Sequence, residues 1–261
     1  MNVALHPSVR LALGSIFALL VAASLGVFVL RRLRPGLDLD EVATRVRSWW
    51  LIVGLFGLAI ALERGWTLFF FAGVSYLALK EYLSLIPTRR ADRRVLLWAY
   101  GAIPFQYLWI HLGWYEAFLV FVPVLLFLAI PMRMVLIGET EGFLGAAGTI
   151  HWGAMTAVFG IGHAAYLAVL PSSLNPNGAG AGLVLFLVGL TQLNDVAQFL
   201  WGKAVGRARV MPTVSPNKTW GGFVGGVGTT TALAALGHTV LTPFSLGQAV
   251  TAGLLIGVFG F

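Results

Sequence analysis

The chain has 261 residues, of which 58% are hydrophobic and only 10% are charged, and it contains no cysteine. This composition is typical of membrane proteins, and the lack of cysteine excludes disulfide frameworks, thiolate metal sites and cysteine nucleophiles. The net charge of +7 could indicate nucleic-acid binding, but the cations lie in short segments between apolar runs. Because no basic soluble module accompanies them, we expect no nucleic-acid partner.

Long apolar runs follow one another along the chain. The first covers 20 residues, 11–30, without a charge, enough for a helix to cross a hydrocarbon core of about 30 Å. Because Arg31, Arg32 and Arg34 follow this run, a transmembrane helix is favoured over a cleaved signal peptide. Seven further spans are predicted, and a ninth apolar run begins near Leu246; the seven are 49–62, 65–79, 95–110, 117–130, 152–170, 182–200 and 222–241. The predicted fold is an all-α polytopic membrane protein with about eight to nine transmembrane helices.

The segment 31–48 mixes charges of both signs, and Pro35 and Gly36 break the chain near its start. After them, apolar residues recur at helical spacing at Leu39, Val42, Val46 and Trp49. This pattern predicts an amphipathic helix along the membrane surface. The alternative is a solvated linker that only orients the neighbouring spans.

The distribution of Lys and Arg among the loops predicts which loops lie on which side of the membrane. Of the 17 Lys and Arg residues, 15 fall in the first, third, fifth and seventh loops, and only Arg10 and Arg64 fall on the other side. Cytoplasmic loops hold the excess of Lys and Arg. We therefore expect the N-terminus outside and the seventh loop on the cytoplasmic face, where nucleotides are found.

Polar residues concentrate in the segment 194–226, NDVAQFLWGKAVGRARVMPTVSPNKTWGGFVGG, in which Asp195 is the only acid after Glu141. A carboxylate at membrane depth costs about 2.5 to 3.5 kcal/mol on insertion scales, so it normally faces a polar cavity and binds something. Mg²⁺ is the first candidate, because it prefers one or two carboxylates plus substrate phosphates. The alternative is an ion pair with Lys203 or Arg207 that only holds helices together.

The cations of this segment suit a triphosphate or a phospholipid headgroup, although the positive-inside rule also explains them; they are Lys203, Arg207, Arg209 and Lys218. The case for Lys218 is stronger, because it lies just ahead of a predicted helix whose N-terminus favours anions. The nearby glycines could approach a ligand or a neighbouring helix. Gly222 with Gly226, and Gly253 with Gly257, form small-xxx-small pairs that helix packing alone would explain.

The pattern of the segment resembles the bacterial phosphatidate cytidylyltransferases, also called CDP-diacylglycerol synthases. The matching residues are Asp195, Gly202-Lys203, Gly206-Arg207, Pro212, Ser215-Pro216-Asn217-Lys218-Thr219-Trp220, Gly222 and Gly225-Gly226. Their order and spacing agree over about thirty residues, whereas upstream only the multi-spanning architecture is similar.

The resemblance implies a multi-pass enzyme of the bacterial cytoplasmic membrane. Such an enzyme transfers the cytidylyl group of CTP to phosphatidic acid, releases pyrophosphate and requires Mg²⁺. It implies that Asp195 binds the metal and that Asp195 and Lys218 are the catalytic residues. The implied substrate-binding residues are Lys203, Arg207, Ser215, Pro216, Asn217, Thr219, Trp220 and Gly222.

The sequence departs from the family pattern in two ways. Asn217 stands where the family usually has Lys, and Gly221 stands where it usually has Glu, which indicates a divergent paralogue with a shifted substrate. The family's C-terminal signature, with further metal-binding acids, would follow the last span. We therefore expect a single membrane domain, 1–261, with N-terminal helices over 1–170 and an incomplete catalytic region over 171–261, inactive by itself.

Two other functions stay open. A CTP-dependent kinase acting on a lipid alcohol would use the same nucleotide but yield CDP. An ion-coupled transporter would use Asp195 as its intramembrane acid, although the spans show no internal repeat of the kind many transporters have. The sequence does not fix the oligomeric state, so a homodimer also stays open.

Overall fold

The computed structural model describes residues 5–34, 36, 39–86, 92–138 and 141–261. These residues are almost entirely helical, which confirms the all-α prediction. The predicted chain break at Pro35, and the part of the third loop over 87–91, lie outside the described residues.

Eight helices in the described part of the chain are long and apolar enough to cross a membrane, which makes this a multi-pass membrane protein. They are α1 (Pro7–Leu33), α2 (Asp40–Ala61), α3 (Arg64–Leu85), α4 (Arg93–Leu112), α5 (Tyr115–Val135), α6 (Phe143–Ala168), α7 (Ala179–Val205) and α8 (Trp220–Leu241). A shorter apolar helix, α9 (Leu246–Phe259), follows. The predicted spans are confirmed in number and order. Most helices extend beyond the apolar runs, because backbone hydrogen bonding does not depend on side-chain polarity.

The second helix corrects a prediction. The charged stretch after Asp40 and the apolar run beginning at Trp49 form one continuous helix of 22 residues, α2, rather than a surface helix or linker followed by a separate span. Its spacing of Val42, Val46 and Trp49 is helical, as predicted. Nothing between Ser48 and Trp49 interrupts helical hydrogen bonding, so the change from charged to apolar side chains marks no break.

The chain divides into two compact units. One unit, Leu62–Val169, contains α3 to α6. Buried polar side chains link its helices: the hydroxyls of Ser75 and Tyr107 lie 2.8 Å apart, and Gln106 Nε2 donates to the backbone oxygen of Phe118 at 3.1 Å. Hydrogen bonds between helices stabilise packing inside lipid, where apolar contact alone gives little preference for one neighbour over another.

The other unit joins Met1–Ala61 to Leu170–Phe261: α1 packs on α2, α7 and α8, and α9 packs on α7 and α8. Glycines allow the helices of this unit to approach one another closely. A Cβ added at Gly226 would lie 2.3 Å from Cγ of Gln198 in α7, and one added at Gly257 would lie 2.9 Å from Cα of Val227 in α8. The packing interpretation of the small-xxx-small pairs is therefore confirmed.

A buried amide links three of these helices. Asn194 in α7 accepts a hydrogen bond from Oγ1 of Thr230 in α8 at 2.9 Å and donates to the backbone oxygen of Gly257 in α9 at 3.3 Å. Asn194 is fully buried. The side chain next to Asp195 is thus a structural anchor that fixes the rotation of α7.

A short antiparallel hairpin connects α7 to α8. Its strands are β1 (Arg209–Met211) and β2 (Ser215–Thr219), with Arg209 paired to Thr219 and Met211 to Ser215. The hairpin was not predicted. It gives the motif segment 215–219 an extended backbone immediately before α8 begins at Trp220, and the pairing shifts register between Arg209 and Met211.

Candidate functional site

Most of the predicted site residues meet in one cleft of about 140 Å³, which lies within the unit formed by Met1–Ala61 and Leu170–Phe261. Its walls come from α2, α7, β2, the start of α8 and Phe261, two residues after the end of α9. The lining residues are Arg45, Asp195, Gln198, Phe199, Ser215, Asn217, Lys218, Thr219, Gly222 and Phe261. The first and seventh loops therefore lie at the same end of the helices, as the distribution of cations predicted.

Asp195 lies just past the middle of α7 and is exposed to the cleft. The predicted alternative, an ion pair with Lys203 or Arg207, is not what the structure shows, because Lys203 Nζ instead lies 4.0 Å from Oε2 of Glu41. Across the described ranges no cation is paired with Asp195. Its carboxylate oxygens are therefore available to a ligand, which is the property that a metal-binding or substrate-binding acid needs.

Lys218 is half-buried in β2, and its position is fixed by two acceptors. Its ammonium group donates to Oε1 of Gln198 and to the backbone oxygen of Phe261, each at 3.2 Å, and lies 4.5 Å from the centre of the Phe261 ring. Such a pre-positioned cation suits a phosphate group.

The motif threonine has a structural role. Thr219 is the N-cap of α8, and its Oγ1 accepts a hydrogen bond from the backbone N–H of Gly222 at 3.1 Å. A Cβ at Gly222 would lie 2.8 Å from the backbone oxygen of Gln198. The amide of Gly222 is already satisfied and its lack of a side chain is explained by packing, so the geometry favours packing over phosphate contact here.

Ser215 and Asn217 also line the cleft from β2, whereas four predicted substrate-binding residues do not. Lys203 lies beside the cleft with Glu41 and Phe199. The other three are exposed and outside the lining; they are Arg207, Pro216 and Trp220.

Four lining residues were missed by the sequence analysis: Arg45, Gln198, Phe199 and Phe261. Gln198 and Phe199 lie three and four residues after Asp195, the spacing that puts side chains on one face of a helix. That signal could have identified them. Arg45 lies in α2, about 150 positions earlier in the chain, and no local pattern connects it to the motif.

The donor set of the cleft fits Mg²⁺. The described residues contain no cluster of three or more His, Cys, Asp or Glu side chains that could hold a metal. Among the lining residues, Asp195 is the only acid, and Mg²⁺ often binds through one or two carboxylates, water and the phosphates of its substrate. The part of the chain that the structure describes could therefore hold the ion only together with a phosphate ligand.

Comparison with known families gives a match over most of the chain. A family model described as "Cytidylyltransferase family" matches residues 43–261. The match includes every residue that lines the cleft. No solved structure matches the chain.

The individual relatives differ in the share of the two chains over which they match. The uncharacterized protein YnbB of Escherichia coli (strain K12) is 45% identical over 251 residues, which is 96% of this chain and 82% of the relative. The phosphatidate cytidylyltransferase of Chlamydia muridarum (strain MoPn / Nigg) is 31% identical over 88 residues, covering 31% of this chain and 29% of the relative. That of Aquifex aeolicus (strain VF5) is 38% identical over 80 residues, covering 30% and 29%. The relatives with a named activity thus match over less than a third of their own length.

Proposed function

Because the chain belongs to the cytidylyltransferase family and is a multi-pass membrane protein that uses CTP, we propose that it transfers the cytidylyl group of CTP to phosphatidic acid. The products are CDP-diacylglycerol and pyrophosphate. The observation that supports this most directly is that Asp195 of α7 and Lys218 of β2 line one cleft.

The location of the cleft agrees with this reaction. The first loop contains five and the seventh loop four of the 17 cations of the chain. This excess supports a cytoplasmic location of both loops in a bacterial inner membrane. CTP is present on that side. The apolar helices around the cleft would bring it level with the headgroups of the bilayer, where phosphatidic acid lies.

The proposed reaction is a substitution at phosphorus. An oxygen of the lipid phosphate forms a bond to the α-phosphorus of CTP, and the bond from that phosphorus to the oxygen bridging the β-phosphate breaks. The electron pair leaves with pyrophosphate. Phosphoryl chemistry of this type depends mainly on positioning and electrostatics, so no nucleophile from the protein is needed.

The chain's own residues provide the positioning. Lys218 donates to a phosphate oxygen, and its existing hydrogen bonds to Gln198 and Phe261 keep it in place before substrate binds. Ser215 and Asn217 offer neutral hydrogen-bonding groups along the extended strand β2. The apolar ring of Phe199 limits water at one wall of the cleft.

Asp195 would hold Mg²⁺, together with the phosphates of CTP. When bound, the ion neutralises charge that develops on the phosphates. Asp195 is unsuited to bind the triphosphate directly, because two negative groups repel each other. This is a physical reason for the acid and the cation Lys218 to share one cleft.

The test is release of pyrophosphate from CTP, phosphatidic acid and Mg²⁺ by membranes containing the full-length protein. We expect release that depends on the lipid, and a loss of about a thousandfold or more in Asp195→Asn, because metal-based charge stabilisation is worth several kcal/mol. Glu116→Gln, which removes an exposed acid at the start of α5, is the matched control and should retain activity. Full activity in Asp195→Asn would contradict the assignment.

A further inference from the structure

The cleft contains a cation from outside the motif segment. Arg45 lies in α2, five residues into the helix, and lines the cleft together with Asp195 and Lys218. Its side chain is half exposed, and it lies far from the motif segment 194–226 in sequence.

The surroundings of Arg45 hold its guanidinium against α7. Its Nη2 and Nε lie 3.1 and 3.3 Å from Oε1 of Glu41, one turn earlier in α2. Its Cζ lies 4.6 Å from the centre of the Phe199 ring, and Nζ of Lys203 lies 4.3 Å from the same ring. Arg45 and Lys203 therefore share the carboxylate of Glu41. Among these three described side chains, one positive charge is left without a partner beside the cleft.

The position of Arg45 along α2 corresponds to the headgroup region of a bilayer. One turn later in the helix come Trp49 and Trp50, and Nε1 of Trp50 donates to Oγ of Ser24 in α1 at 3.0 Å. Tryptophans concentrate at the membrane–water interface. The residues after them, up to Ala61, are uncharged and apolar in the main, so Arg45 lies on the polar side of that boundary.

From these observations we infer that Arg45 binds the phosphate of the lipid acceptor, an inference that rests on the proposed function. The lipid phosphate stays at headgroup level, whereas CTP arrives from water. Lys218 is fixed on the side of the cleft formed by β2 and Phe261, and Arg45 is supplied by the membrane-spanning helix α2. A guanidinium binds the oxygens of a phosphate monoester in a bidentate manner, which an ammonium group cannot do.

The kinetic test separates the two substrates. KM is measured for phosphatidic acid at saturating CTP, and for CTP at saturating phosphatidic acid, in mixed micelles. For Arg45→Ala we expect a KM for phosphatidic acid raised about tenfold or more, with the KM for CTP changed less than about twofold. Arg45→Lys should recover only part of the loss. Arg47→Ala removes an equal charge two residues away, outside the cleft lining, and should leave both constants unchanged.

A binding measurement distinguishes failure of this inference from failure of the proposed function. The melting temperature of the purified protein is followed with short-chain phosphatidic acid or short-chain phosphatidylcholine, in the absence of CTP. We expect phosphatidic acid to raise it in the wild type and in Arg47→Ala but not in Arg45→Ala. A raised KM for CTP alone, or an unchanged response in Arg45→Ala, would overturn the role of Arg45. A wild type that binds the lipid but forms no CDP-lipid would instead contradict the proposed reaction.

Discussion

Lys218 donates a 3.2 Å hydrogen bond to Oε1 of Gln198. This contact joins the hairpin to α7, and Gln198 also donates to the backbone oxygen of Gly260 beyond α9 at 3.4 Å. Gln198 is buried, so its amide is held in one orientation. The two residues together place an ammonium group in the cleft that contains Asp195.

Replacing Gln198 by Ala should therefore weaken CTP use. A hydrogen bond to a charged group contributes about 1.5 to 3 kcal/mol, so we expect kcat/KM for CTP to fall about tenfold or more as Lys218 loses its fixed position. Gln192→Ala is the control, because it changes the same residue type in the same helix outside the cleft. Equal kcat/KM values for the two variants would show that Gln198 does not position Lys218.

Gly226→Ala tests the close approach of α8 to α7. The new Cβ would lie 2.3 Å from Cγ and 3.3 Å from Cα of Gln198, so the Gln198 side chain must move. We expect a lower melting temperature and a lower kcat/KM. At Gly228, two residues later in α8, an added Cβ meets no described atom within 4 Å. Gly228→Ala should therefore keep or raise the melting temperature, since Ala is favoured over Gly in a helix by about 0.5 to 1 kcal/mol. Similar losses in both variants would argue against the specific contact.

The anchor formed by Asn194 and Thr230 predicts an energetic coupling. In a double-mutant cycle with Asn194→Ala and Thr230→Val, measured by unfolding in mixed micelles, we expect the two changes to be non-additive by about 0.6 to 1.7 kcal/mol, the range found for hydrogen bonds between membrane helices. Strict additivity would mean that the 2.9 Å contact contributes nothing to stability.

Asn217 tests the departure from the family pattern. It lines the cleft from β2, so Asn217→Lys would add a cation near the proposed phosphate site. One charge at about 4 Å in a water-exposed position is worth about 1 kcal/mol, which predicts a KM for CTP lowered about fivefold and a steeper dependence on salt. Asn217→Gln is the uncharged control. If Asn217→Lys and Asn217→Gln have the same KM, Asn217 does not contact the triphosphate.

The helices were predictable because the sequence shows the apolar runs directly, although the runs 49–62, 65–79 and 117–130 are shorter than a bilayer requires and the helices extend beyond them. The end of each helix was less predictable. The start of α2 at Asp40 lies nine residues before the predicted span, since charge marks the membrane boundary and not the end of hydrogen bonding. The hairpin over 209–219 is too short to give a clear alternating pattern.

The site could be predicted only for residues that lie close to one another in the sequence. Asp195, Ser215, Asn217 and Lys218 lie in one polar segment, and they also meet in space. Arg45 was not predictable, because it reaches the cleft through the packing of α2 against α7, and that packing depends on contacts far apart in sequence. Gly222 was assigned to substrate although its surroundings are those of a packing residue, since a glycine has the same sequence signal in both roles.

The most direct test of the account is the fate of the CTP phosphates when the full-length protein acts on phosphatidic acid with Mg²⁺. Parallel reactions use CTP labelled at the α-phosphate and at the γ-phosphate, and the label is counted in the extracted lipid. We predict that the α-label enters the lipid, that the γ-label is released as pyrophosphate, and that Asp195→Asn abolishes both. Transfer of the γ-label to a lipid alcohol would show a CTP-dependent kinase, and no transfer of either label by the folded protein would contradict the proposed reaction.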